Sequence, residues 1–246
     1  LKIAVISQAR MTSSRLPGKV MKQVLGKPLM AYQVERLRRM RIPHEFVIAT
    51  TDRPTDDEFA DYCQSKLGAS VFRGDERDVL SRYDGAASAC GADVIVRVTS
   101  DCPLIDPAVT ERVIRTFVEA DGKWDYVSNT LERRFPRGLD TEVFTREGLA
   151  VANREATLDY EREHVTPFFY RRPERFRIHQ VLQEEDHSAL RWTVDTPEDF
   201  QLVEAMLTAL YPVNPAFTQE DALRAWRQHP QWATLNAHIE QKKLGE

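Results

Sequence analysis

Three basic side chains crowd one short loop near the start of the chain. Arg10, Arg15 and Lys19 fall within Gln8-Ala-Arg-Met-Thr-Ser-Ser-Arg-Leu-Pro-Gly-Lys19. Arginine forks and a lysine point charge suit phosphate oxygens, so the chemistry open to this loop is gripping a polyphosphate. Two aspartates stand out further on: Asp101 in Thr99-Ser-Asp-Cys-Pro-Leu-Ile-Asp106, and Asp195 in Val194-Asp-Thr-Pro-Glu-Asp199. Each ends a strand-like run, and in each case a neighbour, Asp106 or Thr196, is the better helix cap. Mg²⁺ needs hard oxygen ligands, usually one or two carboxylates together with substrate phosphates, and Asp101 fits that task. The plainer alternatives are a solvated basic loop, a turn aspartate at 101 and a helix-dipole partner at 195.

The loop matches neither common phosphate fingerprint. It lacks Gly-x4-Gly-Lys-Ser/Thr, and no Gly-x-Gly-x-x-Gly follows the strand before it. What positions it is the apolar, β-branched run Ile3-Ala-Val-Ile-Ser7. In α/β sheets the loop after such a strand lies at the carboxyl edge, where ligands bind. Phe46-Val-Ile-Ala49, Val71-Phe72 and Asp93-Val-Ile-Val-Arg-Val98 read as further strands. Met30, Val34, Leu37 and Met40 have helical spacing, which predicts that Glu35, Arg36, Arg38 and Arg39 face outward. Thr55-x-x-Glu58 reads as a capping box for the next helix and Gly68 as its stop. Gly74 separates a strand from a helix that runs to about Gly91, and Asp106-Pro107 opens another helix. Four strand–helix pairs in succession predict a mostly parallel sheet with helices on both faces.

The alternation then breaks. Trp124 to Asn129 and Asp140-Thr-Glu-Val-Phe144 read as strands, Leu158 to Phe169 as a helix, and Arg175 to Leu182 as an antiparallel strand. Trp192 to Val194 is a short strand pattern, and Thr196 caps the helix after it. The predicted organisation is a domain over 1–211, containing an arm of mixed strands at 131–182, and a helical appendage over 212–246 with no chemistry of its own.

Bulk numbers narrow the class. The 246 residues are 42% hydrophobic and 29% charged with a net charge of −4, ordinary for a globular protein. That balance excludes neither fold nor enzyme, but gives no support for nucleic-acid or membrane-surface binding. No apolar run approaches the roughly 18 residues of a membrane span. The first apolar run is too short for a signal peptide. Three scattered cysteines without a C-x-x-C pair predict a reducing, cytoplasmic setting and no zinc.

The pattern Ala9-Arg10-x-x-Ser13-x-Arg15-Leu16-Pro17-Gly18-Lys19, with Leu25-Gly-Lys-Pro-Leu29 behind it, resembles the signature loop of sugar-activating nucleotidyltransferases. It is most similar to the cytidylyltransferases that make CMP-sugar acids, and within them to the spore coat polysaccharide SpsF branch, over about residues 1 to 210. The resemblance implies a Rossmann-like three-layer domain that moves CMP from CTP to a sugar acid with Mg²⁺, releasing pyrophosphate for surface-glycan synthesis. It assigns catalysis to Arg10, Arg15 and Lys19. Nucleotide binding falls to those residues with Gln8, Ala9, Ser13, Gly74, Arg77 and Ser100, and the metal to Asp101 and Asp195. Segments Gly138–Glu142 and Glu161–His164 resemble those flanking the acceptor pocket, which implicates Asp140, Glu142 and His164. The family also implies that 131–182 closes over the acceptor and pairs with a second subunit in a homodimer. Basic residues for an acceptor carboxylate are not placed by any motif, so sugar acid, amino-sugar acid, phosphonate and polyol phosphate stay open. The residues alone leave CTP, UTP, TTP and GTP open. A glycosyltransferase using a nucleotide-sugar donor would want Asp-x-Asp where this chain has Asp101-Cys-Pro. A nucleotide-binding module without turnover is the remaining alternative.

Overall fold

The structure is a computed structural model that describes residues 1–241. β1 (Ile3–Gln8) is the apolar run predicted to lead into the basic loop, and it is buried at every position except Gln8. A small hairpin of β2 (Gln23–Val24) and β3 (Lys27–Pro28) follows the loop and feeds α1 (Leu29–Leu37). Strands and helices then alternate: β4 (Glu45–Thr51), α2 (Asp57–Ser65), β5 (Ser70–Gly74), α3 (Val79–Cys90), β6 (Val94–Thr99) and α4 (Pro107–Val118). The remainder is β7 (Tyr126–Ser128), β8 (Glu142–Thr145), α5 (Arg146–Glu155), α6 (Asp159–His164), α7 (Pro167–Tyr170), β9 (Ile178–Gln180), α8 (Pro197–Leu210) and α9 (Gln219–Gln228).

Seven strands form one sheet in the order β5-β4-β1-β6-β8-β7-β9. β8 runs antiparallel to both neighbours, and every other pairing is parallel. Alternation along β1 sends Ile3 and Val5 to one face and Ala4 and Ile6 to the other. The first pair joins a core with residues of α1, α2 and α4, the second a core with residues of α3, α5 and α7. The result is the three-layer α/β arrangement expected from the sequence. A third apolar cluster ties Leu16 of the basic loop to Trp192, α8 and α9.

The register fixes where chemistry can happen. β1 lies beside β6 with Gln8 opposite Thr99, so the loops after the two strands leave the sheet side by side. That alone brings the basic loop to the segment carrying Asp101.

Several local expectations need correction. Arg36 does not face outward: it is 2% exposed, donates to the carbonyls of Ile105 (2.7 Å) and Phe217 (2.8 Å), and lies over the Phe217 ring. With Nε and one terminal nitrogen taken by carbonyls, the apolar stem can be buried as well, which helical spacing does not reveal. Thr55 is not the cap of α2. A 3-10 turn over Pro54–Asp56 precedes the helix, and no side chain caps it. β9 runs parallel to β7, because alternation reports buried faces and not direction. Residues 192–194 form no strand. Their backbone is clipped to loops instead, with a single bridge between Arg137 and Arg191. The predicted helix 158–169 breaks at Val165, where φ is +69°, and restarts at Pro167, which has no N–H to continue a helix. Within the predicted arm at 131–182, β8 sits inside the sheet between β6 and β7, and β9 forms its edge.

Candidate active site

A cleft of about 860 Å³ opens at the carboxyl ends of β1 and β6. Its floor starts with the basic loop, which is held at both ends. Ala9 N–H donates to the Ala49 carbonyl (3.1 Å), and Gly18 N–H donates to the Met11 carbonyl (2.8 Å), closing the loop on itself. Gly18 adopts φ +67°, a left-handed turn that suits glycine. Leu16 and Val20 are buried and anchor the far side. Asp56 pins the near side. Its buried carboxylate accepts from Met11 N–H (3.0 Å) and from the hydroxyls of Thr50 (2.8 Å) and Thr51 (2.7 Å). Burial alone would raise the Asp56 carboxyl, but the bonds from Thr51, Met11 and Thr50 outweigh it and hold it low.

Asp101 and Asp195 meet although 94 positions separate them. Val194 N–H donates to the Asp101 carbonyl (2.8 Å), and the Thr193 hydroxyl reaches the same oxygen (3.2 Å). The backbone clip therefore presents both carboxylates to one cation. Lys19 Nζ lies 3.1 Å from Asp101 Oδ2 and 2.9 Å from Asp195 Oδ1. Arg15 reaches Asp195 Oδ2 at 3.2 Å. Burial would depress the Lys19 ammonium, but the two carboxylates raise it above its ordinary value. Burial would likewise raise Asp101, but the Lys19 charge and hydrogen bonds from Thr99, Lys19 and Cys102 hold it down at about 2.

Seven basic side chains line the cleft against five acidic ones, a local positive surplus within a chain of net negative charge. Some of these cations are already committed. Arg97 is paired with buried Glu142, which also accepts from the Tyr126 hydroxyl (2.5 Å). Arg133 holds Asp140 through two bonds of 2.6 and 2.8 Å. Others are uncommitted. Among the described residues Arg137 has no side-chain hydrogen bond or ion pair, and burial with the nearby Arg133 charge lowers its pKa. Arg10 also lacks a carboxylate partner among those residues, and Arg82 donates only to the carbonyls of Asp75 and Glu76. Gly138 makes the Arg137 position possible. Its φ is +106°, and a Cβ there would lie 2.7 Å from the Trp192 carbonyl oxygen.

The cleft gathers Gln8, Ala9, Arg10, Ser13, Arg15, Lys19, Ser100, Asp101, Asp140, Glu142, His164 and Asp195 from the sequence-predicted set. Gly74 and Arg77 are not among its lining residues: Gly74 packs on the Arg82 stem, and Arg77 is exposed. Arg82 and Arg137 line the cleft and were not singled out by motif. Arg82 sits within the α3 pattern and Arg137 within a charged turn, so only the fold distinguishes them from surface arginines. His164 enters from a tight turn in which Thr166 N–H donates to the His164 carbonyl (2.7 Å), with Val165 at positive φ in between. Such a conformation is strained for a β-branched residue. Burial lowers the His164 pKa, which favours the neutral imidazole near pH 7.

Two carboxylates converging on a cation are a fair start for a hard divalent ion, which completes its shell with water and phosphate oxygens. Among the described residues no group of three or more His, Cys, Asp or Glu side chains converges to cage a metal by itself. The donor set fits a cation that arrives with a phosphate ligand.

A mostly parallel sheet with a basic loop at its carboxyl edge puts the cleft where open α/β sheets bind their ligands. Residues 4–227 match the family model described as cytidylyltransferase, and the chain belongs to that family. It is 34% identical over 211 residues to the spore coat polysaccharide biosynthesis protein SpsF of Bacillus subtilis, covering 83% of this chain and 85% of that one. A cytidylyltransferase of Leptospira borgpetersenii superposes with a TM-score of 0.90 at 31% identity, covering 99% of this chain and all of that one. CMP:2-keto-3-deoxy-manno-octonic acid synthetase in complex with CTP shares the fold, with a TM-score of 0.65 at 18% identity over 85% of this chain and 99% of that one. The enzyme is thus a nucleotidyltransferase of the cytidylyltransferase family. Among the described residues no helix is long and apolar enough to cross a membrane.

Proposed function

We propose that this enzyme transfers CMP from CTP to an anionic, sugar-like acceptor, releasing pyrophosphate for surface-glycan synthesis. The observation that carries the reading is the Lys19–Asp101–Asp195 triangle beside the uncommitted Arg10 and Arg82. An acceptor oxygen attacks the α-phosphorus in line, and the bond to the pyrophosphate oxygen breaks. Arg10, Arg15, Arg82 and Lys19 bind the phosphate oxygens on which charge builds, so catalysis is positioning and electrostatics. Asp101 and Asp195 would hold Mg²⁺, which supplies Lewis-acid stabilisation of the phosphoryl charge when bound. His164, held neutral by burial, can accept a proton from a hydroxyl nucleophile.

The acceptor reading rests on Arg137. Asp140 and Glu142 are consumed by Arg133 and Arg97, so they orient arginines and do not present free carboxylates. An unpaired guanidinium in the same cleft suits a carboxylate or phosphate on the acceptor. This reassigns Asp140 and Glu142 from acceptor contacts to supports of the pocket wall. A homodimer through 131–182 belongs to the same proposal, with β9 as the sheet-edge strand there; the mass in solution tests it.

The first test is calorimetric binding of CTP, UTP, TTP and GTP with Mg²⁺, followed by pyrophosphate release with candidate acceptors. Selective CTP binding is expected. Lys19→Ala should lower turnover by about 10²-fold or more, since removing one charge-stabilising donor costs roughly 3 kcal/mol. Arg137→Ala should raise the acceptor KM at least tenfold and leave CTP binding unchanged. Failure of the folded protein to bind any triphosphate would overturn the reading.

A further inference from the structure

The segment after α9 does more than pack. Asn236 is 5% exposed, and its Nδ2 donates to Asp199 Oδ1 (2.8 Å) and to the Arg191 carbonyl (3.0 Å). Asp199 is fully buried and is the hub of a network at the start of α8. Its two oxygens accept from Arg191 Nε and Nη2, from the backbone N–H of Asp195 and Thr196, and from Asn236. Arg191 Nη2 continues to Asp195 Oδ2 at 2.8 Å, and its Nη1 donates to Gln241 Oε1 at 2.5 Å. Asp195 is the carboxylate that meets Lys19 beside Asp101. The chain therefore runs Asn236, Asp199, Arg191, Asp195, Lys19, every link a hydrogen bond and most of it buried. The family match stops at residue 227, short of Asn236.

We propose that the C-terminal segment is a positioning element of the active site, in which Asn236, through Asp199 and Arg191, fixes the Asp195 carboxylate for its ligand. The inference rests on the reading of Asp101 and Asp195 as the metal-holding pair. Its physical basis is the geometry of one guanidinium. Arg191 spans two carboxylates, and a planar fork can do so only if both acceptors are held in place. Asp199 is fixed by two backbone amides and by Asn236. Without Asn236, Asp199 Oδ1 loses a buried donor and the Arg191 carbonyl loses its partner. The fork then shifts toward Asp199, and Asp195 is freed to turn to Arg15, which already touches its Oδ2. A carboxylate drawn to Arg15 is a poorer ligand for a cation shared with Asp101.

The test uses the full chain. Mn²⁺ binding is read by electron paramagnetic resonance in the presence of CTP and without acceptor, alongside Mg²⁺ titrations of turnover and thermal melting. Asn236→Ala should weaken Mn²⁺ binding about tenfold and raise the Mg²⁺ concentration for half-maximal rate by a similar factor, with the acceptor KM unchanged. Trp232→Phe is the packing control from the same segment, since Trp232 is buried in the apolar cluster outside the network. It should lower the melting temperature and leave Mn²⁺ binding alone. Should Asn236→Ala fail to fold, Arg191→Lys replaces it, keeping the charge and losing the fork. Melting changes in Asn236→Ala or Arg191→Lys with Mn²⁺ binding equal to wild type would overturn the inference. Absence of Mn²⁺ binding by wild type itself would instead overturn the metal reading on which it rests.

Discussion

Lys19 is the residue at which recognition and catalysis compete for the same atoms. Its ammonium lies between the two carboxylates that would hold a divalent ion. Cation and ammonium cannot both take those oxygens, so the free protein should bind Mn²⁺ weakly until nucleotide phosphates draw Lys19 away. Replacing Lys19 with methionine removes the competitor and leaves the stem. Mn²⁺ binding to the nucleotide-free variant should tighten about tenfold, equivalent to roughly 1.4 kcal/mol, while turnover falls. Unchanged or weaker Mn²⁺ binding in the variant would show that the carboxylates are not held together by Lys19. At this scale the sequence was informative where residues cluster in one loop. Arg10, Arg15 and Lys19 stand within ten positions and reach the same cleft. It was silent on Arg82 and Arg137, whose neighbours in the chain are ordinary helix and turn residues. Nor did it show that Asp140 and Glu142 are paired with Arg133 and Arg97, because composition cannot tell a free carboxylate from one already held by an arginine.

Elements position these residues, and the junction of β4 with α2 is the sharpest case. Asp56 ties that junction to Met11 at the base of the basic loop. Asp56→Ala strands several buried donors at once. Losing hydrogen bonds to a buried charge costs roughly 1.5–3 kcal/mol each in isolation, with partial relaxation expected. The variant should lose about 2–4 kcal/mol of stability in urea denaturation, and CTP affinity should fall as the loop start is released. Full CTP affinity in a destabilised variant would mean that the loop holds its shape without this pin. The sequence pointed to a capping box at Thr55 here, since Thr-x-x-Glu spacing is satisfied whether or not the threonine turns toward the helix. The βα alternation through α4 was legible because its strands carry short apolar runs set off from the helices by cap, glycine and proline signals. Past Trp124 the strands shorten to three or four residues, too few for a pattern to carry direction or neighbour.

At the scale of the molecule, the triangle of Lys19, Asp101 and Asp195 clasps the start, middle and end of the chain. The clasp has a definite pH signature. Asp101 is held at about 2 in the folded state, against roughly 3.9 for an unperturbed aspartate. A depressed carboxyl stabilises the fold fully above its unfolded value, and that contribution is lost as pH falls through 4 toward 2. The shift corresponds to roughly 2–3 kcal/mol at neutral pH. Asp101→Asn cannot ionise, so it lacks this contribution at every pH. The stability gap between wild type and Asp101→Asn should therefore be widest near pH 6 and narrow by roughly 1 kcal/mol by pH 3. Urea denaturation of both proteins at each pH measures it. A gap that stays constant would mean the cost of the substitution is packing and not charge. Such a clasp could not be read from the chain in order, since its members are joined only through the parallel register of β1 with β6 and the backbone clip at Val194. The sequence supplied its three side chains, and the sheet supplied their meeting point.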